Sequence, residues 1–330
     1  MSKPKVGLVG GGSWATAIAK MLCKNHQQIN WWVRDQNLIT ALLKHKHNPK
    51  YLSSVEFNPQ QLNLTTDINE LVSGSDWIIL AVPSIHLESC LQDLKLPFGD
   101  KFVVSAIKGI VPVHYKIVGN YLNDEFNVGF ENFGVISGPC HAEEVALERL
   151  SYLTIAALNP EKAEMVAEGL ACHFIKTNIS QDIFGTEYAA VLKNIYAIAA
   201  GIAHGLGYGD NFQAVLMSNA TREMNRITQN ISPIDRDVAE SAYLGDLLVT
   251  GYSYFSRNRM FGNMIGKGYT VNSAILEMRM VAEGYYATKS IYKLKKVLEV
   301  KAPILAAVYK ILYGHKSPAK VMKRLANKLT

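Results

Sequence analysis

Lys193 stands where a cation is out of place. It heads the run Lys-Asn-Ile-Tyr-Ala-Ile-Ala-Ala-Gly-Ile-Ala, which carries no charge from Ile195 to Ala203. Leu192, Ile195, Ala199 and Ile202 recur at spacings of three and four, one face of a helix. A helix with no charged residue on its other faces is buried on most sides. Burial disfavours an ammonium and lowers its pKa, so a lysine there can exchange protons near neutral pH. Lys193 is therefore a candidate general acid or base; the plain alternative is a lysine that simply reaches solvent. Gly205, Gly207 and Gly209 break the helix, and Asp210-Asn211 follow.

A second group of polar residues lies further on. Leu244-Gly-Asp-Leu-Leu248 places Asp246 ahead of Ser256-Arg-Asn-Arg259. Ser256, Arg257 and Asn258 offer hydroxyl, guanidinium and amide donors in succession, and the planar arginine fork suits a phosphate. A charged surface turn is the alternative. In Met280-Val-Ala-Glu-Gly284, Glu283 can accept from amide or ribose groups or merely begin a helix.

These residues need elements to hold them. Lys5-Val-Gly-Leu-Val9 reads as a buried strand, Gly10-Gly-Gly-Ser-Trp-Ala15 as a turn, and Thr16 to Cys23 as a helix. Strand, glycine turn and helix are the setting of the dinucleotide fingerprint, with Gly10, Gly12 and Ala15 in its three small-residue places. Gly10 permits the tight turn, Gly12 lets backbone approach a pyrophosphate, and Ala15 lets the helix pack on the strand. The helix N-terminus offers free N–H groups to phosphate. The next strand, Ile29 to Val33, ends in Arg34-Asp35. An acid there binds the ribose of NAD, whereas an arginine pairs with the 2′-phosphate of NADP; Arg34 permits NADP and Asp35 leaves NAD open.

Further strands are expected at Asp76–Pro83, Lys101–Ile107, Gly134–Pro139, Tyr152–Ala157 and His173–Thr177. Lys108, Gly138 and Cys140 follow strand ends, where ligands of parallel sheets bind. The pattern predicts an α/β, doubly wound dinucleotide-binding domain over residues 1–180. No strand-like run follows, so residues 181–330 are expected to form an all-helical, substrate-binding domain.

Composition narrows the class. The chain has 330 residues, 48% hydrophobic and 19% charged, as in ordinary globular proteins. No run of eighteen apolar residues reads as a membrane span, and no signal segment opens the chain. The four cysteines have no metal-type spacing. They read as reduced thiols of a cytoplasmic protein that needs no metal. Residues 289–330 hold eleven Lys/Arg and one Glu, leaving the remainder about −4 within a total of +6. A basic tail can meet nucleic acid or an anionic membrane, but without a nucleic-acid motif a solvated basic face is favoured, with weak peripheral membrane contact as the alternative.

Taken in order, several blocks resemble the bacterial-type NAD(P)-dependent glycerol-3-phosphate dehydrogenases. They are Gly10-Gly-Gly-Ser-Trp-Ala-Thr16, Asn48-Pro-Lys-Tyr-Leu52, Ala81-Val-Pro-Ser84, Lys108-Gly-Ile110, Ser137-Gly-Pro139 with Ala142-Glu143, Leu192-Lys-Asn194, Leu244-Gly-Asp-Leu247 and Ser256-Arg-Asn-Arg259. The resemblance implies a Rossmann domain with a helical domain, reversible hydride transfer at C2 of glycerol 3-phosphate, and a homodimer. It implies Lys193 as the proton-exchanging group and a role in phospholipid precursor synthesis. It implies substrate contacts at Lys108, Gly138, Cys140, Asp246, Ser256, Arg257 and Asn258, with Arg257 and Asn258 on the phosphate. It implies contacts to NAD or NADP at Ser13, Trp14, Arg34, Lys108, Ala142, Arg257, Val281 and Glu283. Departures are Cys140 for a serine or threonine, His141 for an aromatic, and Tyr243 and Gly251 where glycine and cysteine are usual. A dehydrogenase for a β-hydroxy acid and a non-enzymatic nucleotide-sensing or membrane-associated protein are the competing readings.

Overall fold

The computed structural model describes residues 4–278 and 281–330. The chain divides into two compact units. Unit 1 is Met1–Ile107 with Lys116–Ile183, and unit 2 is Lys108–Tyr115 with Phe184–Thr330. The expected boundary after residue 180 left Lys108 in the first domain, whereas the short segment it opens groups with unit 2.

Unit 1 alternates strand and helix: β1 (Val6–Val9), α1 (Ser13–Asn25), β2 (Ile29–Trp32), α2 (Gln36–His45), β3 (Leu62–Thr65), α3 (Ile68–Ser73), β4 (Trp77–Leu80), α4 (Leu87–Leu91), β5 (Phe102–Ser105), α5 (Val118–Phe126), β6 (Phe133–Ser137), α6 (Ala142–Ala146), β7 (Ser151–Ala157), α7 (Pro160–Leu170) and β8 (Ile175–Ser180). The strands form one sheet in the order β3-β2-β1-β4-β5-β6-β7-β8. β1, β4, β5 and β6 are buried along their whole length, as central strands covered on both faces must be. The order reverses between β1 and β4, the switch point at which doubly wound sheets open to ligands. Val9 lies opposite both Trp32 and Leu80, which puts the glycine turn after β1 there.

One strand departs from the expected parallel alternation. β7 runs antiparallel to β6, pairing Gly134 with Ala157 and Ser137 with Thr154. The connection before it contains only the five-residue α6, so the chain doubles back beside β6 instead of crossing over the sheet. The eleven-residue α7 then makes a full crossover, and β8 is parallel to β7.

Unit 2 is helical: α8 (Ile183–Gly205), α9 (Asp210–Ile231), α10 (Asp246–Tyr252), α11 (Arg257–Gly266), α12 (Val271–Met278), α13 (Glu283–Val297), α14 (Pro303–Leu312) and α15 (Pro318–Ala326). Every residue of α8 from Gly185 to Ala203 is buried. Among the described residues no helix is long and apolar enough to cross a membrane.

Glycines bring α11 onto α8 backbone to backbone. A Cβ at Gly201 would lie 2.0 Å from the Arg259 carbonyl oxygen, and one at Gly262 would lie 2.1 Å from that of Ile198. Such contacts are impossible for any larger residue without pushing the helices apart. We expect Gly262→Ala to destabilise the protein by about 1–3 kcal/mol through overpacking. Equilibrium denaturation checks this, and an unchanged midpoint would show that the contact yields.

Candidate active site

The glycine turn of unit 1 is tied down from three sides. Gly10 has φ +135°, and a Cβ there would meet the Ala81 carbonyl oxygen at 2.5 Å, so only glycine fits. The buried Trp31 indole donates to the Gly10 carbonyl at 2.7 Å. Asn48 donates to the Gly11 carbonyl at 3.1 Å and to the Thr16 hydroxyl at 2.9 Å, which gives the Asn48-Pro-Lys-Tyr-Leu52 block a structural role.

Gly12 is the N-cap of α1, no side chain caps its N–H groups, and a Cβ on Gly12 would meet nothing within 4 Å. The cradle therefore fits a pyrophosphate: uncapped donors, the positive end of a 13-residue helix, and space above Gly12. Half-buried Ser13 and Trp14 begin that helix, and Ala15 is wholly buried against the sheet. We expect Gly12→Val to keep the fold yet weaken dinucleotide binding about tenfold or more, because the branched side chain fills that space. Calorimetric titration beside a melting curve separates the two effects; unchanged affinity would exclude the cradle.

In unit 2, one carboxylate holds two ammonium groups. Asp246 opens α10 directly after a widened π turn, Ser241–Gly245. Its Oδ1 accepts from Lys193 Nζ, and its Oδ2 accepts from Lys108 Nζ at 3.0 Å. The Asp246 side chain is 1% exposed, that of Lys193 6% and that of Lys108 17%. Burial pushes the Asp246 carboxyl up, but the pull of Lys108 and Lys193 outweighs it and leaves it below the ordinary carboxylate range. For Lys193, burial dominates: it lowers the ammonium to about 7, against the upward pull of Asp246 and with help from Lys108. Lys193 can thus hold or release a proton near neutrality, and while it holds it the cluster carries a net positive charge for an anionic ligand.

A relay of amides braces this cluster. Asn194 Nδ2 donates to the Lys108 carbonyl at 2.6 Å, and its Oδ1 accepts from Asn258 Nδ2 at 2.9 Å. Asn258 Oδ1 in turn accepts the Gly284 N–H at 2.9 Å. The relay links the Lys108 segment, α8, α11 and the start of α13. Asn258, expected on the substrate phosphate, gives this relay its oxygen and one of its two amide N–H groups. Ser256 is the N-cap of α11, its hydroxyl accepting from Arg259 N–H at 3.2 Å. Arg257, the first residue of α11, is half-buried and makes no ion pair among the described residues. Its guanidinium, the Ser256 O–H and the second N–H of the Asn258 amide are the donors this trio can still offer a phosphate. Nothing in the sequence marks the relay role of Asn194 except its place beside Lys193.

The remaining expected residues are divided between the two units. Gly138, Cys140 and Ala142 belong to unit 1, in the connection beyond β6. Cys140 is partly buried and packs against the sheet core, a place where a thiol is tolerated. Arg34 is exposed at the end of β2. Val281 lines a cavity of about 220 Å³ in unit 2 with Phe261 and Tyr285, and Glu283 opens α13. Met280 lies outside the described residues.

A dinucleotide cradle on a doubly wound sheet and a helical unit built around a buried lysine define a nicotinamide-dependent dehydrogenase. Models of the NAD-dependent glycerol-3-phosphate dehydrogenase N-terminus and C-terminus match residues 5–163 and 182–323. A glycerol-3-phosphate dehydrogenase [NAD(P)+] of Thermoanaerobacter sp. is 36% identical, over 95% of this chain and 94% of its own. One of Oceanobacillus iheyensis is 33% identical, over 98% and 94%. The crystal structure of glycerol-3-phosphate dehydrogenase from Coxiella burnetii superposes with a TM-score of 0.88 at 26% identity, covering 98% of each chain. The chain belongs to the NAD(P)-dependent glycerol-3-phosphate dehydrogenase family and is an oxidoreductase that uses NAD or NADP.

Proposed function

We propose that the protein reduces dihydroxyacetone phosphate to sn-glycerol 3-phosphate, supplying the backbone of glycerophospholipids, with Lys193 as the proton donor. The observation that carries the reading is the buried Lys193 ammonium, brought to about 7 and held by Asp246. When bound, the nicotinamide supplies the hydride. Gly10, Gly12 and the start of α1 would hold its pyrophosphate.

Lys193 donates a hydrogen bond to the substrate carbonyl oxygen and gives up its proton as negative charge develops there. Asp246 fixes the ammonium and compensates the cation before reaction. It also holds Lys108, a second donor of the same charge. Arg257 binds the phosphate remote from the reacting carbon, and this binding orients the carbonyl. Asn194 and Asn258 hold the segments that carry these groups. In the reverse direction, neutral Lys193 accepts the hydroxyl proton.

The test measures oxidation of NADH and of NADPH with dihydroxyacetone phosphate, and in parallel with a 2-oxo acid. Turnover with the phosphate ester alone supports the reading. Turnover only with the oxo acid would end it and favour a hydroxy-acid dehydrogenase.

A further inference from the structure

The basic excess of residues 289–330 is folded into helices instead of trailing as a loose segment. α13 packs on α14 and α14 on α15, all within unit 2. On α15, Val321, Met322 and Leu325 are buried, while Lys320, Lys323 and Arg324 are exposed. The three cations stand three and four positions apart, so they share the helix face that points away from the core. Exposed Lys316 and Lys328 flank the two ends of the helix. The array is held in place. Ser317 caps α15. Beyond the helix, the Thr330 carbonyl accepts from Asn219 Nδ2 of α9 at 2.8 Å, and its hydroxyl accepts from Arg222 at 3.0 Å.

An ordinary solvated face intersperses both signs of charge. This one carries a single sign. Glu299 is the one acid of residues 289–330, and it lies outside α15, beyond the end of α13. None of the five cations forms an ion pair among the described residues. Five like charges on one short helix and its flanks repel one another, and an anionic surface would relieve that repulsion. The chemistry of the cations narrows the partner. Ten of the eleven basic residues are lysines. Ammonium groups answer to a field of charge without fixing its geometry, whereas readers of nucleic acid lean on the arginine fork. The nearby tyrosines are already stacked among themselves and do not offer a platform for bases: Tyr309 lies against Tyr292 and Tyr313, with ring centroids 3.7 and 5.5 Å apart.

We propose that α15 and its flanking lysines dock the protein on an anionic lipid bilayer through charge alone. The apolar side chains of α15 are packed in unit 2 and have nothing to insert, so the contact is peripheral, reversible and salt-sensitive. The proposal rests on the functional reading above only for its purpose. Acylation is the class of reaction that consumes the free hydroxyl groups of glycerol 3-phosphate, and the acylated ester belongs in a bilayer. An enzyme held at that surface releases its product where the acyl acceptor is needed.

The experiment is sedimentation of the full chain with vesicles of phosphatidylcholine, with and without phosphatidylglycerol, at low salt and at about 0.5 M salt, where screening confines charge to a few ångströms. Binding is expected to the anionic vesicles alone, and only at low salt. Lys320→Gln, Lys323→Gln and Arg324→Gln together should weaken it about ten- to a hundredfold. Lys44→Gln, Lys46→Gln and Lys95→Gln remove the same charge from exposed positions of unit 1, and should leave binding within about twofold. The α15 variant should keep the melting curve and the solution turnover of wild type, because its three side chains point away from the core. No pelleting, equal pelleting with both kinds of vesicle, pelleting that survives about 0.5 M salt, or an equal loss in the two triple variants would each overturn the proposal. Tighter binding to a duplex oligonucleotide than to anionic vesicles would replace the bilayer with nucleic acid. Absence of dihydroxyacetone phosphate turnover in wild type would sink the functional reading, while the vesicle arms are read without it.

Discussion

Replacing Lys193 with methionine is expected to lower kcat for carbonyl reduction about a thousandfold, the typical contribution of a positioned general acid. The fold should survive, because Lys108 remains to neutralise Asp246. The wild-type pH profile gives the sharper check. Reduction needs the protonated amine, so kcat should hold below the Lys193 value and fall as pH rises through about 7. Oxidation needs the neutral amine, so its rate should rise over the same interval. The methionine variant should lose both breaks. A variant that keeps its rate and its break near 7 would remove Lys193 from the mechanism.

Asp246→Ala should have the largest effect on stability. It leaves two ammonium groups around a buried site without their anion, a loss of about 3–5 kcal/mol for breaking one buried pair. The sign with pH follows from the lysines. Without Asp246, burial and Lys108 both push Lys193 further below about 7, whereas in the unfolded chain it stays near 10.5. Between those values the unfolded state binds more protons, so the variant should gain stability as pH rises across that window. Asp246→Asn keeps shape and removes charge, and should show the same trend with a smaller loss. Its reduction rate should break at a lower pH than that of wild type. Denaturant titrations at several pH values, with rate profiles alongside, test both. Wild type gains stability in the same way above about 7, so the loss should shrink only as pH rises toward about 7; a loss that does not would show that the carboxylate serves packing rather than charge.

Much of this was legible in the residues themselves. The apolar runs of β1, β4, β5 and β6 are long enough to read directly, and the glycine turn needs only its spacing. The chargeless run after Lys193 signals burial because no polar face remains to be solvated. β3 was not legible: Leu62-Asn-Leu-Thr65 is four residues with one exposed polar side chain, too short to stand out from a loop. The reversed direction of β7 depends on how little helix precedes it, and apolar content carries no sense of direction.

The site was harder to read where one residue type can serve two ends. Asn258 reads as a ligand because amides bind phosphates; that it also bridges Asn194 and Gly284 is not visible in the spacing. Asp35 reads as a ribose acceptor from its position, and that it also caps α2 and pairs with Lys50 is not visible in the local spacing. The residues that decide each case lie far along the chain or in a neighbouring turn, beyond the reach of local spacing.

The grouping of Lys108–Tyr115 with the helical unit has a consequence for biosynthesis. Lys108 is paired with a carboxylate 138 positions later, so during translation it leaves the ribosome long before its counter-ion exists. Until Asp246 is made, the residues flanking this segment can settle into the sheet while Lys108 stays hydrated. The two-lysine cluster therefore closes only after α8 and the chain through α10 have been made. A gene fragment starting at α8 would encode the helices but leave Asp246 with one cation in place of two. Cutting the protein at the visible boundary between sheet and helices would thus divide this charge cluster, and a separable helical module has to carry the 108–115 segment with it.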